Sequence, residues 1–366
     1  MALPVVRTLN ECADYFSTVA PYLDQLRAVP QVVFDSIANP AALKQVYLDT
    51  NPLLTSLAFV FAIAPIFLIT SEINRNYSQV DRFWSILPTI WNIHYAVYGH
   101  LAGVDTTRVD AVAAVSTLWS IRLTYNYFRR GGYSIGSEDY RWVIVKDYAG
   151  PVAFFLFNIV FISFAQVILL LLVTTPTYVL LLTGRLAKNS SLTPSWTSRD
   201  TIAASVMVLA ISTSFVADQQ QWNYHQAKAH YKKTARAPHG YRRADLDRGF
   251  LTGGLWAYSR HPNFTAEQTV WVTLYVWSCL ATGTWYNWTG IGAASYLFLF
   301  QSSTWLTELL SSQKYPDYKL YQRDVGKFLP LPGATANFPD SSAHHANGGV
   351  QNEKDAVKAR ERYDLR

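Results

Sequence analysis

Gly253 to Gln268, reading GGLWAYSRHPNFTAEQ, concentrates side chains that can do chemistry. A glycine pair and an aromatic shelf precede Arg260 and His261, and Pro262 stands where an apolar run begins. Proline suits the first turn of a helix, where its missing N–H is no loss, so the chain is expected to turn helical at about Asn263. Free N–H groups and the positive dipole end favour an anion at such a start, and Arg260 adds a forked donor for phosphate or carboxylate. Asn263 and Glu267, four residues apart on one helix face, can both point beneath Arg260 and His261. Glu267 suits a ribose hydroxyl or an amide, and it equally suits an ion pair with a neighbouring cation. The whole stretch admits two readings: a membrane helix with a basic interfacial flank, or an anion-binding, cofactor-binding corner at a membrane surface.

The elements that must position these groups follow from composition. Of 366 residues half are apolar and 15% are charged, against about 25% charged in soluble domains, and there are 12 Trp, 23 Tyr and 19 Phe. The deficit of charge points to lipid. The net charge of +6 is distributed between apolar runs rather than along one solvated face, so it reads as a topology signal and not as a nucleic-acid footprint. Cys12 and Cys279, far apart, exclude a disulfide framework and a cysteine-based zinc site. No cleaved signal is expected at the N-terminus.

Residues 1–51, broken by prolines, read as an extramembrane lead-in. Residues 52–332 read as the membrane domain, and the polar segment 333–366 as a disordered tail. Within the membrane domain the apolar runs are 52–70, 83–103, 108–128, 151 to about 174, 201–217, 268–286 and 288–310. The fold class is therefore all-α, a polytopic membrane helix bundle of about seven transmembrane helices. The 151–182 stretch exceeds one span, so Pro176–Leu182 is expected to be a short interfacial or re-entrant piece. The fifth run continues into water as a helix on which Asp218, Gln221, Trp222 and His225 share a face. That face reads either as a binding face or as an amphipathic exit with lysines at the headgroups.

Connectors at 71–82, 129–150 and 218–249 carry two, four and seven Lys/Arg, and the alternate connectors none, three and none. This bias places the N-terminus outside and the C-terminus in the cytoplasm. The glycosylation-type triplets at Asn189 and Asn287 fall on the outer side. Polar clusters at 75–82, 122–146, 218–225 and 258–267 all fall on the cytoplasmic side, where an anionic cofactor enters from water and an apolar substrate from lipid. Arg122 near the end of the third run is costly in lipid unless it faces a polar cavity or snorkels to the interface. No serine–histidine–acid set, HExxH or paired metal cluster stands out, so no metal is expected.

Five segments, NYSQVDRFW, IRLTYNYFRR with SEDYRW, VADQQQW, LWAYSRHPNFTAEQ and KYPDYKLYQRDVGKFLP, resemble the steroid 5α-reductase superfamily, in particular its branch known only as a domain of unknown function. The resemblance covers about residues 70–332. It implies NADPH held at the cytoplasmic side of a seven-helix bundle, with cofactor contacts at Asp218, Tyr258, Asn263 and Glu267 and at Arg122 and Arg129. The neighbouring Asp139, Arg141, Trp222, Arg260 and His261 complete the expected cofactor set. It implies reduction of a C=C bond conjugated to a carbonyl in a steroid or other lipid. The expected topology without a cleaved signal makes the endoplasmic reticulum the default compartment. Tyr125 and Tyr127 are the candidate hydrogen-bond donors to the carbonyl. The Gln-Glu pair and Tyr that polarise the carbonyl in the steroid reductases have no clear counterpart. The RHPN motif is also similar to that of isoprenylcysteine carboxyl methyltransferases, which implies S-adenosylmethionine as the alternative cofactor. A non-catalytic lipid-binding member is the third reading.

Overall fold

The computed structural model describes residues 2–189 and 194–331; the expected tail at 333–366 lies outside them. Among the described residues the secondary structure is helical, apart from one isolated parallel bridge between Ser259 and Gly326. The chain opens with α1 (Leu9–Cys12), α2 (Tyr15–Thr18), a 3-10 turn at Ala20–Tyr22, α3 (Gln25–Ser36) and α4 (Pro40–Asp49). Asn39 caps α4 by accepting from the Ala41 and Ala42 N–H groups, with Pro40 in the first turn. Asn51 and Pro52 repeat the device at α5 (Pro52–Asn74), where Asn51 accepts from the Leu53 N–H at 2.9 Å. Then follow α6 (Gln79–Phe83), α7 (Leu87–Ala102), α8 (Thr107–Arg129), α9 (Tyr140–Ala149) and α10 (Pro151–Phe157). After a π-helical segment at Asn158–Ala165 come α11 (Gln166–Leu172), α12 (Thr175–Asn189) and α13 (Ser198–Thr234). The rest is α14 (Arg243–Arg248), a 3-10 turn at Gly254–Ala257, α15 (Pro262–Thr282), α16 (Gly290–Lys314) and α17 (Tyr318–Asp324).

A helix lies over each of the seven apolar runs. Three are long and apolar enough to cross a membrane: α5, the run Pro151–Lys188 and α13. The 16 residues of α7 fall short of the ~20 that a ~30 Å core requires. In α8, Arg108 and Arg122 interrupt the apolar face. The segment expected to be interfacial after residue 174 is instead the buried part of α12, with Tyr178, Val179, Leu181 and Leu182 fully enclosed. Tyr178 explains the difference, since its hydroxyl donates to the Thr18 carbonyl at 2.7 Å and accepts from Asn51 at 2.8 Å, anchoring the piece inside the protein.

The chain divides into two compact units. One comprises the residues up to Phe215 together with Asn263–Trp305, and the other Val216–Pro262 together with the chain from Leu306. The first unit contains the main core, built from α5, α7, α8, α11, α12, α13, α15 and α16 and extended by Leu3, Val6, Cys12 and Val19 of the lead-in. The lead-in thus packs on the bundle rather than standing apart from it. The second unit has two small clusters, Tyr224 with Ala227 and Leu246, and Tyr318 with Tyr321 and Val325 around Phe250. Within it Gly254 has φ +66, and a Cβ there would come within 2.5 Å of the Gln220 side chain, so the second glycine of the pair is required by both conformation and space.

Candidate functional site

Two buried arginine–carboxylate nodes cross the first unit. At one, Arg108 donates through Nε to Asp200 Oδ1 at 2.8 Å and through Nη2 to Oδ2 at 3.1 Å. Its remaining donors reach Thr183 Oγ1 and the Pro194 carbonyl. Asp200 also accepts from Trp277 Nε1 at 2.7 Å and from the N–H and hydroxyl of Thr197, each at 2.7 Å. At the other node Arg122 Nη2 donates to Glu267 Oε2 at 2.5 Å and Nη1 to Ser214 Oγ at 2.8 Å. Glu267 Oε1 accepts from Trp119 Nε1 at 2.7 Å and from the Tyr296 hydroxyl at 3.1 Å. The Ser214 hydroxyl in turn donates to the Asn263 carbonyl at 3.4 Å.

The register behind these contacts is regular. Arg108 and Arg122 are fourteen residues apart on α8, as are Asp200 and Ser214 on α13, or about 21 Å at 1.5 Å per residue. The two helices therefore run in the same direction, while α15 supplies Glu267 to the Arg122 node and Trp277 to the Arg108 node and so runs the opposite way. Charges buried at this level persist only when paired and hydrogen-bonded, and both nodes meet that condition.

A polar corner of the same unit joins two stretches far apart in sequence. Arg141 grips Asp139 through Nε and Nη2 at 2.8 and 2.7 Å and donates to Ser303 Oγ at 2.8 Å. The Asp139 N–H donates to Ser78 Oγ, the Tyr77 N–H to Glu138 Oε1, and Trp142 Nε1 to Asp81 Oδ2. Arg82 donates to the Ser137 carbonyl at 2.7 Å. Burial, reinforced by the Asp139 carboxylate, pushes the Asp81 carboxyl above its usual range, against the bond from Trp142.

In the second unit the Arg-His pair is closed on its surroundings. Arg260 meets Glu308 bidentately, Nε to Oε1 at 2.7 Å and Nη2 to Oε2 at 3.1 Å, and Nη1 donates to the Gln322 and Val325 carbonyls. The backbone N–H groups of Arg260 and His261 donate to the carbonyls of Gly326 and Lys327. His261 Nε2 lies 2.9 Å from Glu308 Oε1. Burial holds the His261 imidazole below its usual range, and the Glu308 carboxylate offsets this only in part. The carboxylate can only accept, so Nε2 is the nitrogen that donates to it.

Of the expected site residues, the structure brings Arg122, Asn263 and Glu267 together and couples Asp139 to Arg141. Arg129 donates to Asn126 and its guanidinium lies 5.3 Å from the centre of the Tyr125 ring. Tyr125 is half-exposed, and Tyr127 packs edge-on against Tyr133 at 5.0 Å. In the second unit Asp218 is buried, Trp222 is partly buried and Tyr258 is 59% exposed. Sequence reasoning passed over Trp119, Ser214, Tyr296, Asp200 and Glu308. Glu308 carried a readable signal, a carboxylate inside an apolar run, which by default marks a paired or functional group. Among the described residues no group of three or more His, Cys, Asp or Glu is arranged to hold a metal.

The chemistry of the donors fits the anionic end of a dinucleotide outside the buried pairs rather than within them. The forks of Arg260 and Arg122 already face carboxylates. In the second unit Lys232, Lys233, Arg236 and Arg243 are exposed, as is the Tyr258 ring. A groove of about 420 Å³ between α3 and α4 is lined by Val29, Val32, Val46 and their neighbours and by none of the candidate residues.

Comparison with known proteins adds a family and no activity. A protein of Schizosaccharomyces pombe described as uncharacterised is 38% identical over 344 residues, covering 93% of this chain and 97% of that relative. No solved structure matches. The family model described as "Protein of unknown function (DUF1295)" matches residues 66–325, which span α8, α13 and α15 with both arginine nodes, and the chain belongs to that family.

Proposed function

We propose that the protein is a membrane-embedded NADPH-dependent oxidoreductase that reduces a C=C bond conjugated to a carbonyl in a steroid or other lipid. In this reading the bundle has seven spans in the endoplasmic reticulum, with its polar ends and C-terminus facing the cytoplasm. The observation that carries it is the Arg122–Glu267 node. It joins the IRLTYNYFRR and NFTAEQ segments, two of those that resemble the steroid 5α-reductase superfamily, through a salt bridge of 2.5 Å. The parallel course of α8 and α13 against α15 agrees with spans three, five and six of a seven-span topology.

NADPH supplies a hydride to the β-carbon of the enone when bound. The residues of this chain hold, orient and exclude water. In the first unit Arg122, Asn263 and Glu267 would hold the cofactor, and in the second unit Asp218, Tyr258 and the exposed Lys232, Lys233, Arg236 and Arg243 are further candidate contacts. Tyr125 and Tyr127 donate a hydrogen bond to the carbonyl oxygen as enolate charge develops, with Tyr296 as a further hydroxyl beside Glu267. Thermal unfolding of the purified protein, titrated with NADPH, tests the reading. Saturable stabilisation together with steroid-enone-dependent NADPH oxidation is expected. Stabilisation by S-adenosylhomocysteine instead would replace it with a methyltransferase.

The closure of Arg260 on Glu308 and two carbonyls supports a second reading, a non-catalytic lipid-binding member in which the RHPN stretch is a structural clamp. No response to either cofactor, with a lipid found by mass spectrometry in the purified protein, would establish that reading instead.

A further inference from the structure

Helix α3 is amphipathic, yet one of its apolar flanks is uncovered. Leu23, Leu26, Pro30, Val33, Phe34 and Ile37 follow the spacing of one helical stripe. Of these Phe34 is 72% and Ile37 67% exposed. The flank beside it carries Asp24, Arg27, Gln31 and Asp35, the last two joined by a 2.8 Å hydrogen bond. A contiguous exposed apolar stripe of this kind on a folded protein marks a contact surface.

The occupant follows from what α3 is tied to. Gln25, in its first turn, accepts from the Asn51 N–H at 2.9 Å and donates to the Asp49 carbonyl at 3.3 Å. Asn51 is the cap of α5, a helix long and apolar enough to cross a membrane. The first turn of α3 is thus fixed at the level where α5 enters lipid. α5 itself leaves Phe59, Phe61, Ile66 and Ile69 exposed, as a helix in lipid does. Charge chooses among lipids. From Asp24 to Asp49 the segment has Arg27 and Lys44 against Asp24, Asp35 and Asp49, so it lacks the basic face that draws interfacial helices to anionic headgroups.

We propose that α3 is an interfacial membrane helix whose Leu23–Ile37 stripe lies in the acyl boundary of a zwitterionic leaflet, at the face where α5 enters. The inference rests on α5 crossing a membrane and is independent of any reductase activity.

The test uses the full chain in phosphatidylcholine vesicles, with a nitroxide attached at Phe34→Cys, Ile37→Cys or, as the polar-face control, Gln31→Cys. Cys12 and Cys279 are buried and do not compete for the label. Collision rates with lipid-soluble oxygen and with a water-soluble nickel chelate are then compared. The oxygen-to-nickel ratio is expected to be severalfold higher at positions 34 and 37 than at 31, and unchanged when part of the lipid is replaced by phosphatidylglycerol. Equal ratios at the three positions would overturn the proposal, as would a dependence on the anionic lipid. Low collision rates with both oxygen and the nickel chelate at positions 34 and 37 would show that protein rather than lipid covers the stripe, and would overturn it too.

Discussion

The Arg108–Asp200 and Arg122–Glu267 nodes use the same three helices at two levels, and they are not equivalent. Asp200 is bound on both oxygens by a two-pronged guanidinium, by an indole and by Thr197 one turn away, so every donor is held by a rigid neighbour. Glu267 faces a single prong of Arg122, and its other oxygen is shared by an indole and a phenol from different helices. The first is built like a staple. In the second, one carboxylate gathers a guanidinium, an indole and a phenol from three helices. A buried ion pair in this bundle is therefore no sign of catalysis by itself, since one lies where no site was expected.

The largest expected effect breaks the staple. Arg108→Ala strands Asp200 without its guanidinium and should cost about 3–5 kcal/mol, read as a loss of folded protein in thermal or denaturant unfolding. A variant that stays folded with unchanged stability would show that the node is not a staple.

Next comes Glu267→Gln, which keeps shape and removes charge. On the folded fraction NADPH affinity should fall about tenfold or more, equivalent to about 1.4 kcal/mol. The double variant Arg122→Met with Glu267→Leu should recover stability, because a buried pair replaced by apolar side chains is often neutral, without recovering cofactor affinity. Recovery of both would reduce the second node to a second staple.

A smaller, pH-dependent effect comes from the second unit. The His261 imidazole is depressed below its unfolded value of about 6.5, so its contribution is fully present above that pH and is lost as pH falls towards the depressed value. The unfolding temperature should decline from pH 7 towards pH 5, and His261→Gln should flatten that decline. A parallel decline in the variant would remove His261 as its source.

The smallest structural effect is expected at Tyr125, which is half-exposed. Tyr125→Phe should shift stability by about 0.5 kcal/mol or less. If its hydroxyl donates to the carbonyl, the turnover rate falls while NADPH affinity holds. Unchanged turnover would transfer the role to Tyr127 or Tyr296, and Tyr296→Phe would then separate those two.

Local chemistry was legible in the sequence and distant pairing was not. Pro262 announced the start of α15, and Asn39–Pro40 and Asn51–Pro52 announce helix starts just as plainly, because a cap and its proline are neighbours. Among the described residues a helix lies over each apolar run for the same reason, since hydrophobic content is local too. Arg260, in contrast, read as an anion ligand because Glu308, 48 residues on, could not be assigned to it. Trp119 and Tyr296 were hidden by their kind, since an aromatic in an apolar run looks the same whether it anchors at a lipid interface or donates to a buried carboxylate. Pro176–Leu182 looked interfacial from length alone, and only the Tyr178 bonds to Thr18 and Asn51 draw it inside.

The spacing of the two nodes has a consequence for how this chain can change length. Fourteen residues are two heptads, the repeat with which helices keep one seam in contact as they wrap. Both 109–121 on α8 and 201–213 on α13 lie between fixed points, so a single inserted residue in either would turn one node by about 100° away from its partner. Seven inserted residues restore the direction but slide the node by about 10 Å along the axis, so neither helix can change length between the nodes alone, and the helices carry a ruler as well as a charge.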